Sequence, residues 1–413
     1  MSAVKKYGTL LLLACAPAFI FTLPYIRESF YVPIQTAMNL TNAQMGSLTA
    51  WYAIVATPAY LFGGIVADKF PPRLMITFSL VSTGLLGLWF STFPGYEACR
   101  IIFALMGLTT VLTFWSSVIK AVRMLGTPEE QGRLYGLQEG LRGFLNAALV
   151  FVMAFIYGQF ADGIDGATWA IRFCAILLIV LGIIGFIILS KGNDDEKSEP
   201  IGQLLLGMVK CFKIPRVWLL VAIIFTAYSV YALMSYVNTY AVTFCGLSET
   251  DAANLGGIRY CMQGLGGIAG GFLADKIHSR FKVIGGAGVL LAISYCAFFF
   301  IPAEASALVA VLINFMVGVM LVYTIRSLYF STISEANIDE SITGRVSGIM
   351  STLGYLPDVF LLTLTGMWID SYAGTTGYMM VFGYAAVMGI LCTIISLILL
   401  KIVKKDNGKT IKA

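Results

Sequence analysis

A dozen apolar stretches, each about as long as a bilayer is thick, leave this chain almost no choice of fold. They run at roughly 7–35, 45–67, 74–93, 97–123, 131–158, 169–190, 216–240, 251–275, 283–302, 306–331, 345–367 and 377–402, close to the ~20 residues a helix needs to cross a hydrocarbon core. Lipid offers no partner to a backbone N–H or C=O, so a segment of this length satisfies its own hydrogen bonds as a helix. Hydrophobic residues make up 58% of the sequence and charged residues 12%, with a mean hydropathy of +0.85; a soluble globule is far less apolar. The expectation is an all-α membrane protein with twelve transmembrane helices. The first stretch is too long for the core of a signal peptide and has no evident cleavage site, so it reads as a retained span.

The chain also says the same thing twice. GGIVADKFPPR at Gly63 to Arg73 returns as GGFLADKIHSR at Gly270 to Arg280, an offset of 207 residues. Gly132-Arg133-x-x-Gly136 is echoed by Gly344-Arg345-x-x-Gly348, and Asp162 by Asp370, in the same order. Self-similarity at half the chain length is the trace of two copies of one membrane unit, with a substrate site expected between them. The longest polar stretch, SKGNDDEKSEP at Ser190 to Pro200, lies near the middle and reads as a linker, followed by an amphipathic segment at 204–212 suited to a membrane surface. The expected organisation is a six-helix bundle over 1–190, a cytoplasmic linker over 191–213, and a second six-helix bundle with a cytoplasmic tail over 214–413.

Charge sets the orientation. If Lys5 and Lys6 are cytoplasmic, so are Lys69, Arg73, Lys276, Arg280 and the tail lysines from Lys401 to Lys412, whereas the loops near 36–44, 94–99, 159–168, 241–250, 303–306 and 368–376 contain no Lys or Arg. The positive-inside rule then puts both termini in the cytoplasm, in what is expected to be a bacterial inner membrane. Topology accounts for the net charge of +5, which gives no reason to invoke nucleic acid. The eight cysteines form no CxxC and no cluster with the single His278, so they read as small apolar residues, and neither a metal nor a cofactor is expected.

At the repeated loop the sequence resembles the major facilitator superfamily, whose hallmark there is G-x-x-x-D-R/K-x-G-R-R/K. Gly64, Asp68, Lys69 and Arg73 match it, while Pro71 and Pro72 depart from it; Arg100 and Gly107 resemble the family's pattern at the fourth span. The proline variant DKFPPR is similar to that of the organophosphate antiporter and anion/cation symporter branches, and Phe114 to Gly143 lies without gaps on the antiporter pattern. That alignment sets Trp115 on the family's Trp, Lys120 on a basic residue, Gly132 on the turn glycine and Arg142 on a functional histidine. The branch's first-span arginine falls on Tyr25, with Arg27 two residues on, and its seventh-span arginine has no counterpart near Met234. The resemblance implies the major facilitator fold of two pseudo-symmetric six-helix bundles. It also implies charge contacts in the two repeated loops, Asp68, Lys69 and Arg73 with Asp275, Lys276 and Arg280, that close the cytoplasmic side as a gate.

A charge inside a span costs at least about 2.5 kcal/mol, so intramembrane ionisable residues are functional candidates. They are Arg27, Glu28, Lys120, Glu139, Arg142, Arg259, Arg326 and Asp358. Arg142 sits one helical turn from Glu139: the two either neutralise each other, or Arg142 holds an anion while Glu139 carries a proton. Arg27, after Pro24, either enters a cavity from a bent helix or pairs with Glu28 or snorkels. Lys120 is a ligand or an interface lysine. Arg326 is a ligand or the partner of Asp358, which is the second proton-coupling candidate. Arg259, in a glycine-rich run with Gln263 one turn on, belongs to a cavity wall or to close helix packing. Tyr31, Tyr231, Asn238 and Tyr355 complete the proposed substrate-binding set, with packing as the plainer reading for the tyrosines.

Five basic against three acidic intramembrane candidates favour an anion. The expected function is a secondary transporter of a small organic anion by alternating access, proton-coupled, acting as a monomer in the bilayer. Proton-free anion exchange, a neutral-solute or drug exporter of the same fold, and a transport-inactive ligand sensor stay open as alternatives. Enzyme activity is not expected: GLGG at Gly264 to Gly267 lacks the strand context of a nucleotide fingerprint.

Overall fold

The computed structural model describes residues 3–126, 131–190, 209–339 and 342–410. Most of the expected linker, 191–208, and most of the amphipathic segment at 204–212 therefore lie outside the described residues.

Twelve helical traversals are formed. The first is broken into α1 (Ala3–Ile20) and α2 (Arg27–Met38) by a run of turns over 21–26. Pro24 lies in that run and supplies no N–H, which removes one rung of the ladder there. The second span is α3 (Asn42–Lys69), opened by a capping box in which Thr41 Oγ1 accepts from Gln44 N at 3.1 Å and Gln44 Oε1 accepts from Thr41 N at 3.0 Å. The third is α4 (Pro72–Phe90). The fourth runs through α5 (Tyr96–Gly107), a widened π-type stretch over Leu108–Trp115, and α6 (Ser116–Arg123). The fifth and sixth are α7 (Gln131–Tyr157) and α8 (Gly163–Ile188).

The second half repeats the plan. Its first traversal is again broken, into α9 (Pro215–Leu233) and α10 (Ser235–Cys245). Then follow α11 (Glu249–Ile277), α12 (Arg280–Ala297) and α13 (Leu308–Leu328). The short α14 (Thr332–Glu335) leads to a broken eleventh span, α15 (Thr343–Gly354) and α16 (Pro357–Ser371), and to the last, α17 (Thr376–Thr410). Pro357 opens α16, a position where its missing N–H costs nothing. Among the described residues, eight of the traversals are long and apolar enough to cross a bilayer by length and composition alone. Phe155 at 67%, Ile187 at 73% and Phe272 at 77% exposure place large apolar side chains where only lipid is a favourable solvent.

The chain divides into two compact units, Met1–Ser198 with Ser248–Cys261, and Glu199–Leu247 with Met262–Ala413. In the first unit α4 lies against α8: a Cβ on Gly84 would meet Ile179 Cγ1 at 2.6 Å and the Ala175 carbonyl at 2.7 Å. Thr77 Oγ1 donates to the Gly182 carbonyl across the same contact at 3.3 Å. In the second unit α12 lies against α17 in the same manner, a Cβ on Gly288 falling 2.8 Å from the Gly389 carbonyl and Thr393 Oγ1 donating to Gly285 at 2.9 Å. Small residues give membrane helices the close approach that lipid, equally apolar, does not drive.

Candidate functional site

In the first unit, the break after α1 sets Phe21 edge-on to two rings of the fourth span, Phe114 at 6.2 Å and Trp115 at 6.0 Å between centroids. Trp115 ends the π-type stretch, a distortion often found at functional sites. From α7 the half-buried Arg142 brings its guanidinium to 5.9 Å from the Trp115 ring. Beside this group Tyr25 packs on Tyr52 at 5.5 Å, Tyr52 shares a hydrogen bond with Thr110 at 3.1 Å, and Thr22 donates to Asn146 at 3.3 Å. Lys120 Nζ donates to the Ala67 carbonyl of α3 at 2.9 Å. The side chain of Glu139 lies outside the described residues, as does that of Asp68.

Arg27, Glu28 and Tyr31 occupy the first turns of α2 and are buried, at 5%, 7% and 5% exposure. The Arg27 guanidinium lies 5.0 Å from the Tyr31 ring, and Tyr31 donates to Asn42 Oδ1 at 2.7 Å. Glu28 forms an ion pair with Arg259 of α11, and the Tyr260 hydroxyl donates to the same carboxylate oxygen at 3.2 Å. Arg259, read from the sequence as a substrate ligand, is thus placed in a buried pair inside the first unit.

In the second unit Arg326, near the end of α13, enters a nest of tyrosines. Its guanidinium carbon lies over the Tyr231 ring at 3.8 Å and stands 5.7 Å from Tyr228 and 5.8 Å from Tyr323. Tyr355, at the break before α16, packs on Tyr228 at 4.5 Å and shares a hydrogen bond with Tyr329 at 3.0 Å. Arg326 Nη1 and the Tyr323 hydroxyl are both buried with no hydrogen-bond partner among the described residues. The Oδ2 of Asp358 accepts from the Tyr228 hydroxyl at 2.6 Å, and the Tyr228 ring in turn faces the Arg326 guanidinium.

A cation stacked on rings gains on the order of 0.5–2 kcal/mol, which does not replace the hydrogen bonds its N–H groups make in water. Asn238 is buried in α10, and Gln263 is half-buried in α11. Among the described residues no group of three or more His, Cys, Asp and Glu side chains is arranged to hold a metal.

The repeated loops differ in detail. Arg73 rests its guanidinium 3.9 Å from the Phe186 ring, and Lys69 is exposed. Asp275 and Lys276 are exposed, and Arg280 contributes through its backbone N–H, which donates to Glu335 Oε2 at 2.6 Å. Ser279 Oγ donates to the other oxygen of Glu335 at 2.6 Å. Glu335 thus caps α12, a role with no signal in the sequence because α14 carries it 55 residues downstream.

Each unit of this helical fold thus holds an arginine beside aromatic rings, Arg142 at Trp115 and Arg326 at Tyr231. The sequence profile of the Major Facilitator Superfamily matches residues 8–361, and the chain belongs to that superfamily. It is accordingly a multi-pass secondary transporter and not an enzyme. Among similar proteins, Inner membrane protein YihN of Escherichia coli (strain K12) is 29% identical over the full length of both chains. The Hexuronate transporter of Bacillus subtilis (strain 168) is 22% identical over 87% of each. Among solved structures, the inward-facing, unoccupied bacterial homologue of the human lysosomal transporter Spinster gives a TM-score of 0.76 at 14% identity, covering 98% of each chain. The D-xylose-proton symporter gives 0.73 at 15% identity, covering 94% of this chain and 97% of that one; both likenesses concern the fold.

Proposed function

We propose that this chain moves a small organic anion, a sugar acid or a related carboxylate, across an inner membrane by alternating access, with a proton as the coupling ion. The observation that carries the reading is Arg326: a guanidinium stacked on Tyr231, with Nη1 buried and offered no acceptor among the described residues. A carboxylate fits its planar fork with two parallel charge-assisted hydrogen bonds, and the Tyr323 hydroxyl supplies a further donor. Arg142 beside Trp115 offers a second cation and a flat ring for a sugar face. A relative named as a hexuronate transporter supports the substrate class, and the relative named an inner membrane protein supports the location. Asp358, held by Tyr228 next to the arginine, is the proposed proton carrier, and the absence of Lys and Arg from alternate loops supports cytoplasmic termini.

Proteoliposome counterflow tests the reading. Labelled hexuronates, other sugar acids, phosphorylated sugars and the neutral parent sugars are offered with and without an imposed pH gradient. Saturable uptake of sugar acids, indifferent to neutral sugars and accelerated by the gradient, is expected. Arg326→Gln removes charge-assisted bonds worth about 1.5–3 kcal/mol, so uptake efficiency falls by roughly 10- to 150-fold. Uptake of neutral sugars that survives Arg326→Gln intact would overturn the anion reading.

A further inference from the structure

α8 carries a further cation, Arg172, that belongs to neither arginine group. It sits in the third turn of the helix and is half-buried. Its Nε donates to Ser91 Oγ at 3.3 Å, and Ser91 caps the end of α4 and donates in turn to the Leu88 carbonyl at 2.7 Å. That end lies away from the first repeated loop, since α4 opens at Pro72. The guanidinium carbon stands 5.3 Å from the Trp169 ring, one turn nearer the start of α8, and Phe160 stacks on that ring at 6.4 Å. Among the described residues Arg172 enters no ion pair, and neither Nη1 nor Nη2 makes a hydrogen bond. Arg100, another cation at this end of the unit, is paired with Glu97 at 2.6 Å. The loops near 36–44, 94–99 and 159–168 on this side contain no Lys or Arg.

Trp169, Arg172, Ile176, Val180, Ile183 and Ile187 follow one another in steps of three or four and so form one stripe of α8. All but the half-buried arginine are exposed, as are Leu85 and Trp89 of α4. Asp165, two turns before Arg172, is exposed as well, and about 10 Å of helix separates the two. With that carboxylate in water, the spacing sets Arg172 near the level of lipid phosphates, where tryptophans also gather. We propose that Arg172 binds the phosphate of an anionic phospholipid, such as phosphatidylglycerol, in the leaflet on this side, the outer one in the orientation proposed above. Ser91 and the negative end of α4 hold the Nε edge of the guanidinium. Nη1 and Nη2 remain as a fork suited to two phosphate oxygens. The exposed stripe below the arginine takes the acyl chains, so the ligand is a lipid and not a free phosphate ion, which gains nothing from hydrocarbon. Phosphatidylcholine carries its own cation beside its phosphate and draws less on the arginine.

The lipid site is independent of which solute the chain carries and of how its movement is driven. Tryptophan quenching tests it on the full chain in phosphatidylcholine bilayers, with a phospholipid brominated on its acyl chains as the quencher. Each protein is compared with its own Trp169→Phe form, so that the difference reports the emission of Trp169. Brominated phosphatidylglycerol is expected to occupy the site about fivefold more strongly than brominated phosphatidylcholine, the equivalent of the 1 kcal/mol that one basic residue gains at an anionic membrane surface. Arg172→Gln is expected to abolish that preference. Ser91→Ala removes the acceptor for Nε but leaves the cation, and is expected to keep it. Equal quenching by the two lipids in the wild type would overturn the proposal without any variant, and so would a wild-type preference in Arg172→Gln. If Ser91→Ala abolishes the preference as fully as Arg172→Gln, the arginine serves to hold α4 and the lipid site is wrong. If inorganic phosphate removes the preference where chloride at equal ionic strength does not, the site takes a free anion and the lipid assignment falls.

Discussion

Arg326 and Arg259 are both arginines inside glycine-, tyrosine- or aliphatic-rich runs, and the sequence offers both as candidate ligands; their surroundings separate them. Arg259 meets a carboxylate 231 residues away in the chain, on α2, and is neutralised. Arg326 meets rings. A single chain read linearly exposes the cost of each charge but not the identity of its distant partner, and so Glu28 was legible as a costly residue while its pairing was not. The same holds for Tyr228, which carries no motif and proves to be the donor to Asp358 at 2.6 Å. Tyr228→Phe keeps the ring and removes the hydroxyl. Withdrawing one donor from a buried carboxylate costs about 1–3 kcal/mol, so the unfolding midpoint in detergent is expected to fall. An unchanged midpoint would show that this hydrogen bond contributes nothing to the bundle. Asp358→Asn keeps the size of the side chain but cannot exchange a proton. Gradient-driven accumulation should disappear while counterflow at equal pH persists; loss of both would assign Asp358 to binding or folding instead of coupling.

At the scale of elements, the apolar runs marked the spans to within a few residues because lipid imposes one solution on any such run. The breaks were unequally legible. Pro24 and Pro357 accompany two of them, each removing a donor from the ladder, although Pro17 and Pro58 lie inside helices that continue. The interruption at Met234 and the π-type stretch over Leu108–Trp115 have no proline at the break, although Gly107 precedes the second. Hydroxyl pairs bind the π-type stretch to its neighbours: Thr109 with Thr83 at 2.7 Å, Thr113 with Ser79 at 2.7 Å and Thr110 with Tyr52 at 3.1 Å. Glycine contacts were visible only as glycine abundance, and the structure sorts those that matter. A Cβ at Gly288 would fall within 2.8 Å of the Gly389 carbonyl, whereas one at Gly286, two residues earlier, meets nothing within 4 Å. Gly288→Leu is therefore expected to destabilise the ninth and twelfth spans by about 1–3 kcal/mol or more through overpacking, and Gly286→Leu to change the melting midpoint little. Equal effects of the two substitutions would remove the close-approach argument.

For the whole molecule, the duplicated loop motif predicted two related halves, and the structure carries the likeness beyond sequence, into the glycine and threonine contacts of α4 with α8 and of α12 with α17. Chain order alone does not define the units, because Ser248–Cys261 packs with the first; nothing in the local sequence of α11 marks that change of allegiance. The two units also differ chemically where the repeat would make them equal. The first pairs Thr22 with Asn146, which cannot titrate, and the second pairs Tyr228 with Asp358, which can, so the proposed coupling through Asp358 belongs to the second, while the side chain of Glu139, the candidate in the first, lies outside the described residues. The central claim is that the tyrosine-lined guanidinium of Arg326 receives the anionic group of the substrate. Calorimetric binding in nanodiscs tests it directly, comparing a hexuronate with its neutral parent sugar on the wild type, Arg326→Lys and Arg326→Gln. The account predicts binding of the hexuronate alone, weakened in Arg326→Lys and lost or reduced at least about tenfold in Arg326→Gln; wild-type affinity in Arg326→Gln would contradict it.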